Sequence, residues 1–395
     1  MLAGLLGVLA PGCSPSRTDA VPLEMTDRAV LPGMDACRFW ADEHQQAGFD
    51  QMWKASIERE TAHLAAGSAL PPADYLVISG GGPDGAYGAG LICGWTETGK
   101  RPHFKIVTGI STGALTAPFA FLGPEYDHVL SEVYTQVKTD QIMDPRWIFA
   151  AFFDDALMDT TPLHELLAKY VDEELLRKVA EEYAKGRLLL IGTTNLDARR
   201  PVIWNIGAIA SSGDPKALAT VRKILIASAA IPAAFPPVLF DVEVDGKKYQ
   251  ELHVDGGAMN QAFLYPSHFH LKTEEAAAHA GRERTAWVIR NARLDPEWAS
   301  TQRQTLKIAG RAISALIASQ GEGDLDRMYL ITRRDGVEFN LAYIPPDFDL
   351  KPKEDFDPNY MRPLFERGRQ DLLSGKAWSD IPPDFDEADF EKTLK

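Results

Sequence analysis

Cysteine is scarce in this sequence. Only Cys13, Cys37 and Cys93 occur among 395 residues. There is no CxxC pair and no Cys/His cluster at zinc-ligand spacing, so no metal site and no other cofactor is expected. A Cys37–Cys93 bridge would require an oxidising compartment. Positive charge is also short, with 41 Lys and Arg against 56 Asp and Glu, a formal net charge of −15. That balance argues against nucleic acid and against electrostatic docking on anionic lipid. It leaves open a lipid substrate reached through apolar surface. The apolar run at residues 1–10 falls far short of the roughly 20 residues that a membrane-spanning helix needs. Repeats and long linkers are absent as well, and nothing in the sequence sets an oligomeric state.

What is present is an ordinary globular composition, 45% hydrophobic and 25% charged, enough for a sizeable core. The short apolar run suits a signal-peptide h-region. It ends in Pro11-Gly12-Cys13, a small residue before a cysteine, which resembles the lipobox of bacterial lipoproteins. That resemblance implies cleavage before Cys13, acylation of its thiol and residence in the bacterial cell envelope, in the periplasm or anchored to a membrane. Against it, no Lys or Arg precedes the apolar run, and a frayed terminus with an incidental cysteine is the alternative. Residues 14–32 read as a tether, and residues 35–66 as a mostly helical extension. The segments are thus 1–13 (signal and lipobox-like), 14–73 (tether and helical extension), 74–270 (the core domain) and 271–395 (a C-terminal α/β extension).

Within the core, β-prone runs alternate with helical ones. Strand-like residues 75–78 lead into Gly80-Gly81-Gly82-Pro83-Asp84-Gly85 and a helix of small residues. Glycines inside that helix lower its intrinsic stability by roughly 1 kcal/mol each, so they predict close approach to neighbouring backbone. Residues 104–108 lead into Gly109-Ile110-Ser111-Thr112-Gly113 and a second apolar helix. Further strands are expected at 187–194, 202–205, 249–254, 287–290 and 339–344. Helices are expected at 125–137, 173–185, 215–228, 301–319, 324–332 and 359–374, and an aromatic stretch occupies 147–153. Alternation of this kind predicts an α/β fold with a mainly parallel sheet covered on both faces.

The two glycine turns carry the chemistry. Glycines two residues before and after Ser111 suit a sharp strand-to-helix elbow that exposes a nucleophile; a glycine-bounded structural turn is the plainer possibility. The first turn fits GxGxxG, but a dinucleotide site needs an acidic residue at the end of the second strand. That strand runs instead into Gly109-Ile110-Ser111. An oxyanion hole explains both turns, with Gly81, Gly82 or Asp84 as N–H donors, since Pro83 has none. None of the nine histidines has a local context that marks it as a triad base. Asp255, at a strand end before Gly256-Gly257, is placed to take the serine proton directly, unless it only begins an Asp-Gly hairpin.

Ser79-Gly80-Gly81-Gly82, then Gly109-Ile110-Ser111-Thr112-Gly113, Ala227-Ser228-Ala229-Ala230-Ile231-Pro232 and Asp255-Gly256-Gly257 together resemble the patatin-like phospholipase family. The resemblance covers about residues 74–270. It implies a three-layer α/β/α fold and hydrolysis of lipid or other acyl esters by a Ser–Asp dyad. Ser111 would be the nucleophile, Asp255 the proton acceptor, and Gly80, Gly81, Gly82 and Gly85 the oxyanion loop. The family pattern places Arg or Lys where Asp84 stands, and Asp84 reads here as a helix cap. The other expectations open at this point are a conventional hydrolase with a Ser-His-Asp triad and a non-catalytic envelope lipoprotein.

Overall fold

Strands buried on both faces read as unbroken apolar runs, and the middle of this protein is built from them. The computed structural model describes residues 17–42, 47–65, 67–137, 142, 144–145, 158–277, 282–383 and 385. Cys13, the rest of 1–13 and the aromatic stretch at 147–153 lie outside them. In chain order the elements are β1 (Arg38–Trp40), α1 (Ala47–Ala62), β2 (Ala73–Ile78), α2 (Gly85–Glu97), β3 (Ile106–Gly109), α3 (Thr112–Leu122) and α4 (Asp127–Thr135). A small ribbon of β4 (Asp144–Pro145) and β5 (Met158–Asp159) precedes α5 (Thr161–Tyr170), α6 (Glu173–Ala184), β6 (Leu188–Asn195), β7 (Arg200–Asn205) and α7 (Ile206–Ala210). Then come α8 (Ala217–Ala229), β8 (Val238–Val244), β9 (Lys247–Asp255), α9 (Leu271–Ala277), β10 (Arg284–Arg290), α10 (Thr305–Asp335), β11 (Glu338–Tyr343) and α11 (Pro358–Leu373).

The main sheet runs β1-β7-β6-β3-β2-β10-β11, with β9 pairing β6 and β8. From β6 to β11 neighbouring strands are parallel, while β7, β1, β9 and β8 join antiparallel. Side chains alternate across the sheet and feed two separate cores. Leu76 and Ile78 of β2 pack with α2, α3, α8 and α11, whereas Tyr75 and Val77 pack with Phe49, Trp53 and Ile57 of α1 and Leu325 and Met328 of α10. The result is the expected three-layer α/β/α sandwich.

The small-residue helix α2 does meet backbone. A Cβ on Gly90 would lie 1.9 Å from the Phe365 carbonyl oxygen, and one on Gly368 of α11 would lie 2.2 Å from that of Tyr87. Cys37 and Cys93 are both buried free thiols.

Four expectations change. Residues 17–32 are not a free tether: Val21, Ala29 and Leu31 are buried and Val30 bridges to Glu243. The helix expected over 35–66 gives way at its start to β1, because Phe39 and Trp40 are buried as an edge strand on β7. β8 was not anticipated; it forms a hairpin with β9 around Asp245-Gly246, both at positive φ, as a two-residue hairpin turn requires. Finally, the helices expected at 301–319 and 324–332 are one helix, α10. Its Gly321 does not break it but leaves room for Arg290, whose Nη2 would lie 2.5 Å from a Cβ there.

Candidate active site

β3 ends at Gly109, and the chain then turns so sharply that Ser111 sits at φ 55°, ψ −126°. Holding a residue with a Cβ in that region costs on the order of 1–3 kcal/mol and is tolerated only where the surroundings impose it. Here they do. A Cβ at Gly109 would lie 2.5 Å from the Gly113 carbonyl oxygen, and a Cβ at Gly113 would lie 2.2 Å from that of Ile78. The Ser111 N–H donates to Ser228 Oγ at 3.0 Å, and the Ser228 hydroxyl donates in turn to the Gly192 carbonyl at 2.7 Å. Helix α3 begins at the next residue, so the positive end of its dipole lies at Ser111.

Asp255 reaches the same place by register. β3 pairs with the first half of β6 as far as Gly109↔Ile191, and β9 takes up pairing at Thr193↔Asp255. Since β7 occupies the other edge of β6, β3 and β9 meet end to end, and Asp255 stands where the chain leaves β3 for Ser111. The Asp255 amide is fixed on the Ala230 carbonyl at 2.9 Å. Its Oδ1 accepts the Gly257 N–H at 2.7 Å. Burial pushes the carboxyl up to about 7, opposed by hydrogen bonds from the Ser111 hydroxyl and the Gly257 amide. No histidine is among the groups acting on it. His253 is buried with its ring nitrogens on Thr193 Oγ1 (2.9 Å) and Glu251 (3.1 Å), and burial lowers its pKa.

The glycine loop divides its amides. Gly80 N–H is donated to the Gln261 carbonyl and Asp84 N–H to that of Gly81. Gly85 N–H turns back to the carbonyls of Gly82 and Pro83. Among the described residues, Gly81 and Gly82 have no such acceptor, and both hold positive φ (157° and 55°). The loop is gripped from behind. Asn291 donates its amide to Ser79 Oγ (2.8 Å) and its Nδ2 to the Ser79 carbonyl (3.0 Å), while its Oδ1 takes the Gly88 N–H (3.0 Å). Beside it the buried Arg290 lies 3.5 Å from the Gly80 carbonyl oxygen.

Asp84 does not cap α2, since its side chain makes no capping hydrogen bond. Its Oδ1 accepts the Tyr360 hydroxyl at 2.5 Å, and burial pushes its carboxyl up to about 6. Sequence reasoning also passed over Asn291, Arg290 and Gln261, which carry no local motif. Ser228 lay within the quoted Ala227–Pro232 piece without being given a role.

From Ser111 and Gly82 opens a cleft of about 680 Å³ empty volume. Leu115, Phe119, Val133, Ile142, Leu163, Phe235 and Met361 make it almost wholly apolar. Among the described residues no group of His, Cys, Asp or Glu could hold a metal ion.

A serine elbow on a three-layer sandwich, opening on an apolar cleft, belongs to the acyl-ester hydrolases. Residues 76–265 match the family model described as patatin-like phospholipase, so the chain carries a domain of that kind there. No curated protein matches the chain in sequence. Among solved structures, VipD from Legionella pneumophila is 14% identical with a TM-score of 0.39, over 79% of this chain and 69% of that one. Full-length ExoU of Pseudomonas aeruginosa, in complex with SpcU, is 13% identical with a TM-score of 0.32, over 78% and 52%. The human GIVD cytosolic phospholipase A2 is 10% identical with a TM-score of 0.27, over 68% and 49%.

Proposed function

We propose that the protein cleaves carboxylic esters of lipids through a Ser–Asp dyad and a covalent acyl-enzyme. The observation that carries this is the convergence of the strained Ser111 and the buried Asp255 where β3 and β9 meet end to end, at the mouth of an apolar cleft. Ser111 Oγ attacks the ester carbonyl while its proton passes to Asp255. The negative oxygen of the tetrahedral intermediate is met by the Gly81 and Gly82 amides, each worth a few kcal/mol of barrier. Gly80 and Gly85 shape that loop without offering donors of their own. Collapse breaks the ester C–O bond, and Asp255 returns the proton to the departing alcohol. Water then attacks the acyl-serine, again giving a proton to Asp255. The released acid leaves Ser111 free, reprotonated from Asp255. The acyl chain lies in the cleft, whose lining matches a hydrocarbon tail.

A fluorophosphonate probe tests the whole scheme. It is expected to modify Ser111, located by peptide mass, and p-nitrophenyl ester turnover is expected to vanish in Ser111→Ala. Absence of labelling in the intact chain would mark a scaffold without catalysis; survival of turnover in Asp255→Asn would point to another base. Export to the bacterial envelope with a lipid on Cys13 is part of the same proposal. It predicts incorporation of radiolabelled palmitate that is lost in Cys13→Ala.

A further inference from the structure

Helix α10 has two unlike halves. Its C-terminal half is core, with Leu325, Met328 and Tyr329 buried against the sheet. Its N-terminal half leaves the body: Ile308 is 52%, Ile313 56% and Leu316 70% exposed. At 100° per residue Ile308, Ile313, Leu316 and Ile317 share one side of the helix, while Lys307, Arg311 and Ser314 share the other. A helix of a soluble domain normally buries its apolar stripe. Here both stripes stand in water.

The charge of this segment is opposite to that of the molecule. Between Glu297 and Glu322 the only charged residues are Arg303, Lys307 and Arg311, in a chain whose formal net charge is −15. Glu297, the nearest acid before it, is paired with Lys351 at 3.1 Å. Just ahead of the helix Trp298 is 89% exposed, and Arg311 folds back onto the Glu297 carbonyl. The root of the projecting half is fixed beside the site. Gln320 donates to the carbonyl of Met259, in the turn that follows Asp255.

We propose that residues 298–319, the segment ahead of α10 and the projecting half of that helix, dock in the interface of an anionic lipid bilayer. Its apolar side enters the acyl boundary and its cations meet lipid phosphates. An apolar side and a cationic side on one helix, with an aromatic residue at one end, are what a helix in that plane needs. The helix lies on the membrane: among the described residues no helix is long and apolar enough to cross one. A local cationic stripe thus supplies what the net charge of the chain withholds. The proposal deepens the hydrolase assignment and rests on it for the identity of the surface, since a lipid substrate resides in such a bilayer.

The test uses the full chain with vesicles of phosphatidylcholine, with and without phosphatidylglycerol. Binding is read by co-sedimentation in the Ser111→Ala protein, so that turnover plays no part. The protein is expected to bind the anionic vesicles. Ile313→Glu with Leu316→Glu should weaken that binding by roughly tenfold or more, and Lys307→Glu with Arg311→Glu should abolish the preference for anionic lipid. With Ser111 restored, the same variants should lose turnover of vesicle lipid and keep that of soluble p-nitrophenyl butyrate, with unchanged thermal melting. Vesicle binding that survives Ile313→Glu with Leu316→Glu overturns the proposal. So does a wild-type dimer that those substitutions dissociate, which would give the face to a second copy of the chain. Vesicle binding through the helix by a chain that neither labels nor hydrolyses would defeat the hydrolase assignment and leave the docking helix standing.

Discussion

Two glycine turns stand at the ends of the neighbouring strands β2 and β3, and they need glycine for different reasons. In the turn around Ser111, Gly109 and Gly113 are glycine because backbone touches backbone there. In the loop after β2, Gly82 has nothing within 4 Å of where a Cβ would be, at φ 55°. That glycine serves a backbone conformation and an open amide. Gly109 and Gly113 are therefore fixed by exclusion, as Gly81 is by the Asn291 carbonyl oxygen 2.1 Å from where its Cβ would be, and Gly82 by exposure. The first kind of position resists any added atom, and Gly82 tolerates one at the expense of its backbone conformation.

The sharpest way to break the contrast is at Asp255, the base proposed for the Ser111 turn alone. Asp255→Asn should lower kcat/KM by roughly 10²–10⁴-fold. Because Asp255 must be ionised to accept the proton and its pKa lies at about 7, wild-type kcat/KM should rise with pH through that value. A pH profile flat from 5 to 9 would remove Asp255 from the chemistry. Next in size, Gly113→Ala should destabilise the fold by ~3 kcal/mol or more in urea denaturation, since the obstructing atoms are backbone. Gly82→Ala should cost only about 1 kcal/mol of stability, yet reduce kcat roughly tenfold or more. Equal stability losses in the two variants would erase the distinction between the turns.

A gain is expected at the strained residue itself. Ser111→Gly should raise stability by about 1 kcal/mol, because glycine occupies φ 55° without penalty, and it should be inactive. The smallest effect belongs to the loop's own acid. The folded pKa of Asp84, about 6, lies above its ordinary 3.8, so its protonated form contributes stability in full below pH 4. That contribution is lost as pH rises through 6. Asp84→Asn should abolish this slope and be more stable than wild type at pH 8 by ~1 kcal/mol, seen as a difference between two thermal-melt pH series.

The residues legible in the sequence were those whose chemistry is local. Gly109 and Gly113 flank Ser111 at fixed spacing, and Asp255 stands before two glycines, so both turns could be seen in short windows. Their supports could not. Asp84 looks like a helix cap to its neighbours, but its partner Tyr360 is 276 positions away. Gly321 looks like a helix stop, and only Arg290, arriving from β10, explains it as a space. β1 is a three-residue strand whose existence depends on the edge of β7, so the helix-like residues around it concealed it. β8 did leave a signal in Asp245-Gly246 between alternating residues, and it was readable on the hairpin rule.

The grip of α11 on the glycine loop has a consequence for how the protein comes to life. The strand before the loop, β2, is hydrogen-bonded on one side to β3 and on the other to β10. Asn291, just past β10, holds the loop, and Tyr360 on α11 holds Asp84. The ribosome therefore makes Ser111 and the glycine loop early and the parts that hold the loop late. Both fastenings of the loop thus come from residues more than two hundred positions further along the chain.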